Sequence, residues 1–85
     1  MSIVFDPAKD ALNLAKHGVS LTAAAEFEIH VVVPDERRNY DEDRFNAFGL
    51  LAGRPYCLTF TVRNGEVRAI SLRRARAREY RRHVV

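Results

Sequence analysis

The feature that most constrains the fold is a pair of β-rich segments separated by Asn64-Gly65. A two-residue loop of this kind joins antiparallel strands, because both positions need a positive φ that Asn and Gly tolerate. Pro55 to Val62 and Val67 to Leu72 flank the loop and are rich in β-branched, aromatic and aliphatic residues. We therefore expect an antiparallel sheet built around this hairpin.

Three further segments are predicted to be strands from their composition. They are Ile3 to Phe5, Ile29 to Val33 and Arg44 to Leu50. Pro34 stops the second of them, and Ala52-Gly53 turns the chain after the third. The polar, mixed-charge stretch from Asp35 to Asp43 is predicted to be a loop.

Two helices are predicted between the first two strands. Asp6-Pro7 is typical of a helix start and Gly18 of a helix end, and Ser20 caps a second helix that runs to Phe27. Helical spacing predicts a core-facing side of the first helix, made of Ala8, Ala11, Leu12 and Ala15. The opposite side is then made of Lys9, Asn13, Lys16 and His17.

A basic helix is predicted at the carboxyl end, from Arg73 to His83. Its thin apolar stripe consists of Ala77, Tyr80 and Val84, and its basic side of Arg74, Arg78, Arg81 and Arg82. Six of the ten residues 73–82 are Arg, although the net charge of the chain is only +3. This clustering indicates a polyanionic partner, most simply nucleic acid, because the Arg fork matches phosphate oxygens; a solvated helix face is the alternative.

Length and composition limit the possible classes of protein. The 85 residues suffice for one domain, 1–85, and no apolar run or basic leader indicates a membrane span or signal peptide, so a cytoplasmic location is expected. The single cysteine, Cys57, is interpreted as a buried inert thiol. The three His residues lie on separate elements without paired ligand spacing, so we expect no metal site and no cofactor.

Three ordered motifs resemble one family. They are Asn13-Leu14-Ala15-Lys16-His17-Gly18-Val19-Ser20, then Asp41-Glu42-Asp43-Arg44 followed by Gly49, then Ile70-Ser71-Leu72-Arg73-Arg74-Ala75 followed by Glu79. In this order they resemble the BrnT toxins, and the resemblance covers nearly the whole chain. It implies an α+β, RelE-like fold, with two N-terminal helices packed on a four-stranded, mainly antiparallel sheet and a basic C-terminal helix.

The resemblance also implies an activity and a partner. The activity is that of a ribonuclease that halts translation and growth. The partner is a BrnA-type antitoxin, which neutralises the toxin and represses the shared operon through a ribbon-helix-helix part. The chain would then contact operator DNA only through the antitoxin, within a toxin–antitoxin hetero-oligomer.

RNA cleavage without a metal requires a base, an acid and cations that stabilise the phosphorane. The predicted catalytic residues are Lys16, His17, Arg44, Arg73 and Glu79. Each also has a simpler interpretation. Lys16 and His17 could only cap a helix end, where the dipole favours their charged forms. Arg73 could be solvated, Arg44 could pair with Asp41 or Glu42, and Glu79 could pair with Arg76 or Arg82.

The predicted RNA-binding residues lie on the C-terminal helix. They are Arg74, Arg76, Arg78, Tyr80 and Arg81. Tyr80 could stack on a base, but a place in the core is favoured. His30, within an apolar strand, is interpreted as structural. A non-catalytic module that binds nucleic acid or the antitoxin is the alternative function, because the sequence shows no evident acid–base pair.

Overall fold

A computed structural model describes residues 3–36 and 41–84. In chain order its elements are β1 (Ile3–Val4), α1 (Pro7–His17), a 3₁₀ helix (Leu21–Glu26), β2 (Glu28–Pro34), β3 (Phe45–Leu51), β4 (Arg54–Arg63), β5 (Glu66–Arg74) and α2 (Ala77–His83). Residues 37–40 of the predicted loop lie outside the described residues. Across the described ranges, no helix is both long and apolar enough to cross a membrane.

The strands form one sheet in the order β1-β5-β4-β3-β2. The predicted hairpin joins β4 and β5 in antiparallel register, with Asn64 and Gly65 at φ values of 51° and 79°. The pairs β2–β3 and β3–β4 are also antiparallel. Strand β1 pairs parallel to β5 through Ile3 and Val4. The sheet therefore has five strands, and the predicted number of four is wrong because this short first strand joins it.

Each face of the sheet holds its own apolar cluster, because successive side chains of a strand point to opposite sides. Leu58 and Leu72 pack with Leu21 and Ala24 of the 3₁₀ helix on one face. Cys57 packs with Phe48 and other residues on the opposite face, which α2 covers. Cys57 is fully buried, as predicted. The 3₁₀ helix and α2 thus lie on different sides of the sheet, whereas among the described residues none of α1 joins either cluster, so the prediction that both N-terminal helices pack on the sheet holds only for the second.

The bounds of α1 are as predicted. Asp6 accepts a hydrogen bond from the Ala8 N–H, Pro7 is the first helical residue, and Gly18 ends the helix at φ 73°. The second helical segment also begins after Ser20, but it is a 3₁₀ helix that ends at Glu26. A 3₁₀ helix advances farther per residue than an α-helix, so six residues suffice to bring the chain back to the sheet.

The predicted core-facing side of α1 is wrong. Ala8, Ala11, Leu12 and Ala15 are all exposed, and Asn13 is the helix residue that is buried. The Asn13 side chain donates to the carbonyl of Leu72 and accepts from the Leu72 N–H, at 2.9 Å each. It also donates to the carbonyl of Val19 at 2.8 Å. Buried backbone groups at the β5 edge require partners, and this requirement, not apolar spacing, decides which side of α1 faces inward.

Asp10 makes the second polar contact of α1. Its Oδ1 accepts from the Ser20 hydroxyl at 2.8 Å and from the Leu21 N–H at 2.7 Å. The carboxylate thus gives a partner to the Leu21 N–H at the start of the 3₁₀ helix, where N–H groups have no acceptor within the helix. Asp10 and Asn13 together hold α1 against the following turn and the sheet.

The C-terminal helix starts later than predicted. Arg73 and Arg74 continue β5, paired with Cys57 and Tyr56, and the Ala75 N–H still donates to the Pro55 carbonyl. The backbone groups of residues 73–75 thus hydrogen-bond to β4, so they are not available to form the first turn of a helix. Of the predicted apolar stripe, Tyr80 and Val84 pack against the sheet, whereas Ala77 is exposed.

Gly49 of β3 lies against the backbone of β2. The register shifts between Ile29 and Val31, so His30 is an extra residue on β2, as in a β-bulge. A Cβ added at Gly49 would overlap the backbone carbonyl of Glu28. Glycine is therefore required here for close approach of two backbones.

Candidate nucleic-acid interface

A cationic cleft lies where the end of α1, the end of β5 and the start of α2 meet. Its volume is about 960 Å³. Its lining residues are Lys16, His17, Arg73, Arg74, Arg76, Arg78, Glu79 and Arg82. Six cationic side chains therefore surround one histidine and one carboxylate, an arrangement that suits a phosphate backbone.

The position of the cleft follows from the way α1 is anchored. Gly18 stops the helix directly after Lys16 and His17, and Asn13 fixes the last turns of the helix to Leu72. Arg73 follows Leu72 and points to the other face of the sheet. Lys16 and His17, two residues predicted as catalytic, are thereby brought beside Arg73, a third predicted residue from a distant part of the chain.

Arg73 and Glu79 form a two-bonded ion pair. Nη1 and Nη2 of Arg73 donate to Oε1 and Oε2 of Glu79 at 2.9 and 3.0 Å. The hydrogen bond from Arg73 is the main reason that the pKa of Glu79 lies below its ordinary value. The predicted partners of Glu79, Arg76 and Arg82, are therefore wrong for the side-chain ion pair. The carboxylate reaches across to the strand because Arg73 belongs to β5 and not to the helix.

The pKa of His17 is also lowered. Partial burial is the largest cause, and the nearby positive charges of Lys16 and Arg73 add to it. Desolvation and the two neighbouring cations thus oppose the charged form of His17, which the helix end alone was expected to favour. His17 is held as a neutral ring that can accept a proton near neutral pH.

Arg44 does not line the cleft. Its Nε lies 3.7 Å from Oε1 of Glu42, so the pairing that the sequence suggested as an alternative is present. Glu42 also accepts from Nε and Nη2 of Arg63, at 3.2 and 2.7 Å. The hydrogen bond from Arg63 is the largest cause of the lowered pKa of Glu42.

The sheet register separates Arg44 from Arg73. Phe45, the residue after Arg44, pairs with Phe60 of β4, whereas Arg73 pairs with Cys57 of the same strand. Arg44 thus lies four residues farther along β4, or about 13 Å in the strand direction. It belongs to the opposite end of the sheet and cannot act at the same phosphate as Arg73.

Tyr80 and His30 lie outside the cleft lining. The Tyr80 hydroxyl and His30 Nδ1 are 2.8 Å apart, and His30 Nε2 lies 2.9 Å from Glu28 Oε2. Because a carboxylate only accepts, Nε2 of His30 carries a hydrogen and donates it to Glu28. Tyr80 also packs against the apolar cluster under α2, so its ring is used for packing, the role that the sequence favoured.

The predicted RNA-binding arginines are divided by the structure. Arg74, Arg76 and Arg78 line the cleft, whereas Arg81 is exposed outside its lining. The Arg74 guanidinium also lies 5.6 Å from the centre of the Tyr56 ring, a distance typical of a cation–π contact.

Two residues of the site were not predicted. Arg82 lines the cleft; the sequence placed it on the basic side of the helix with Arg78, but not among the predicted RNA-binding residues. Asn13, which positions the end of α1, carries no such signal, because its partners lie on a distant strand. Among the described residues, no group of three or more His, Cys, Asp or Glu side chains could hold a metal ion.

The chain was compared with known proteins. No curated protein sequence matches it significantly. One family model does match, over residues 5–79, and its description is the ribonuclease toxin BrnT of type II toxin–antitoxin systems. That range includes all three sequence motifs and most of the cleft. The chain therefore belongs to the BrnT family of ribonuclease toxins.

Proposed function

We propose that this chain is an endoribonuclease that cleaves RNA in the cytoplasm without a metal ion and so inhibits translation and growth. The observation that carries the proposal is the cationic cleft, in which a neutral His17 lies beside the Arg73–Glu79 pair. Family membership supports ribonuclease chemistry. The cleft supplies the groups that such chemistry needs at one place.

The proposed reaction is transfer of the phosphate to the neighbouring 2′-oxygen. The 2′-oxygen attacks phosphorus, the bond to the 5′-oxygen breaks, and the products are a 2′,3′-cyclic phosphate and a 5′-hydroxyl. His17 accepts the proton of the 2′-hydroxyl, and Lys16, its cationic neighbour, donates a proton to the leaving 5′-oxygen. Arginines of the cleft stabilise the charge that develops on the phosphorane.

Arg73 is the proposed phosphate clamp, and Glu79 positions it. A guanidinium held by two hydrogen bonds has a fixed orientation, so its positive charge is held in place for a phosphate bound in the cleft. Glu79 is kept ionised by Arg73, so it does not act as the acid. A bound phosphate would oppose the positive charges of Lys16 and Arg73 and raise the pKa of His17 toward its ordinary value. Substrate binding would thus strengthen His17 as a base.

The rest of the basic surface is proposed to bind the flanking RNA. Arg74, Arg76, Arg78 and Arg82 extend the cleft along α2 and can contact successive phosphates. Arg81 adds charge outside the lining. Binding should weaken steeply with salt, since each neutralised phosphate releases counterions.

The partner follows from the family, whose type II systems pair the toxin with an antitoxin. We propose that it is of the BrnA type, that it neutralises the toxin in a hetero-oligomer, and that operator DNA is bound through the antitoxin alone.

The test compares two arginines that each pair with a glutamate. Arg73 and Arg63 each form a two-bonded pair with a glutamate, at opposite ends of the sheet. Arg73→Ala should lower RNA cleavage by at least about 100-fold, the order of effect expected when a phosphate-stabilising group is lost. Arg63→Ala should leave cleavage unchanged. Purified protein, a structured RNA and 5′-hydroxyl detection at the cut provide the assay, and growth of induced cells reports the same comparison. Equal activity of the two variants would refute the site.

A non-catalytic binding module is the second candidate. One observation favours it: of the described residues that line the cleft, His17 is the one neutral proton acceptor, while Glu79 is committed to Arg73. This function predicts salt-sensitive RNA binding by folded protein with no 5′-hydroxyl product after long incubation.

A further inference from the structure

The exposed side of α1 is apolar. Ala8, Ala11, Leu12 and Ala15 all face outward, and 70% of Leu12 is exposed. A helix on a globular protein normally buries its apolar side and exposes its polar side. Here the polar Asp10 and Asn13 face the protein, so α1 presents to its surroundings the face that most helices bury.

An apolar groove runs between this face and β5. Its volume is about 520 Å³, and Leu12, Ala15 and Ile70 contribute its apolar lining. Lys9 and Lys16 also line it, one near each end of α1. The groove therefore offers apolar contact between two positive charges.

We propose that this groove binds an amphipathic segment of the antitoxin, with apolar side chains on Leu12 and Ile70 and acidic side chains opposite Lys9 and Lys16. The charges of the groove select an acidic segment, and its apolar lining selects an amphipathic one. The identity of the occupant rests on the proposed function, in which an antitoxin neutralises this chain.

The groove and the cationic cleft are continuous. Lys16 and His17 line both. A segment seated in the groove and paired with Lys16 therefore lies over the proposed proton-transfer groups. Neutralisation follows directly, because RNA and the antitoxin then compete for the same two residues.

Other exposed apolar residues of the described chain do not form a comparable surface. Leu14 on α1 is 53% exposed, and Val32 on β2 and Val62 on β4 are 46% and 49% exposed; none of the three lines the groove. Scattered residues of this kind are normal on a protein surface. Val62, at the hairpin end of β4, serves as the matched control for Leu12.

The experiment measures binding of the purified antitoxin, encoded by the neighbouring gene, to full-length chain by calorimetry. Leu12→Glu should weaken binding by about 10- to 100-fold, because it removes an apolar contact and adds a negative charge facing an acidic segment. Val62→Glu should bind like the unaltered chain. Lys9→Glu should weaken binding mainly at low salt. Circular dichroism melting checks that each variant is folded, as the exposure of Leu12 predicts.

Two further readouts separate this inference from the proposed function. Leu12→Glu should cleave RNA at the unaltered rate, yet its cleavage should resist inhibition by the antitoxin. If the chain cleaves no RNA, calorimetry still decides where the antitoxin binds. Unchanged affinity of folded Leu12→Glu and Lys9→Glu, or equal loss in Val62→Glu, would overturn the proposal.

Discussion

Replacing Asn13 with Ala should destabilise the fold more than its place on a short surface helix suggests. The substitution removes three hydrogen bonds of 2.8 to 2.9 Å. It leaves the N–H and carbonyl of Leu72 and the carbonyl of Val19 without these partners, in a region where Asn13 itself is only 5% exposed. An unsatisfied buried group costs about 1–3 kcal/mol, so the expected loss is roughly 3–5 kcal/mol.

That loss is a large part of the total stability. A chain of this size has a free energy of unfolding of about 4–13 kcal/mol. With a urea dependence of about 1–1.5 kcal/mol per molar, the unfolding midpoint should fall by roughly 2–5 M. Equilibrium unfolding in urea, followed by far-ultraviolet circular dichroism, gives this number directly.

Leu12→Ala is the control on the same helix. Leu12 is largely exposed, and leucine and alanine both favour helix. The free energy of unfolding of this variant should therefore differ from that of the unaltered chain by no more than about 0.5 kcal/mol. Asn13→Asp should be at least as unstable as Asn13→Ala, because a carboxylate oxygen would face two carbonyl oxygens. If Asn13→Ala loses less than about 1 kcal/mol, the argument that Asn13 holds α1 to β5 fails.

Three other measurements test separate features. Glu79→Gln should lower the melting temperature at pH 7, and the difference from the unaltered chain should vanish in acid. Because the pKa of Glu79 is lowered in the folded chain, its ionised form stabilises the fold above about pH 4.5, and this contribution is lost as the pH falls through the folded pKa. RNA cleavage at limiting substrate should fall on acidification as His17 gains a proton, and because its pKa is lowered by burial and by Lys16 and Arg73, the fall should begin at a lower pH than for an ordinary histidine; a rate that rises on acidification would exclude His17 as the base. Gly49→Ala should cost about 1–3 kcal/mol in urea unfolding, because its methyl group meets the Glu28 backbone; no loss would show that the strands can separate freely there.

Local signals in the sequence predicted the elements well. Asn64-Gly65 fixed the hairpin, and Asp6-Pro7 and Gly18 fixed the ends of α1, because each acts on the backbone beside it. The orientation of α1 could not be predicted in this way. Asn13 faces inward to satisfy Leu72, a residue 59 positions away, and helical spacing contains no information about that edge.

The candidate site was predicted in part for the same reason. Lys16, His17, Arg73 and Glu79 come together, but Arg44 lies at the other end of the sheet because the register of β3 on β4 places it there. The ion pair of Glu79 with Arg73 was missed because the helix was assumed to start at Arg73. Helical spacing then suggested only Arg76 and Arg82, three residues before and after Glu79, as partners. Arg73 is a strand residue, and this follows from pairing with β4, which the local sequence does not show.

The two walls of the cleft differ in their expected local stability. Arg73 stands on a strand within a five-stranded ladder, whereas α2 has seven residues, fewer than an isolated helix needs to persist in water. The helix is retained by Tyr80, by its ion pair and by His83, whose ring stacks on Phe48 at 4.5 Å. Amide hydrogens of α2 should therefore exchange faster than those of β4 and β5. Glu79 therefore both orients Arg73 in the cleft and tethers α2 to the sheet, so the orientation of the proposed clamp and the docking of this helix are thermodynamically linked.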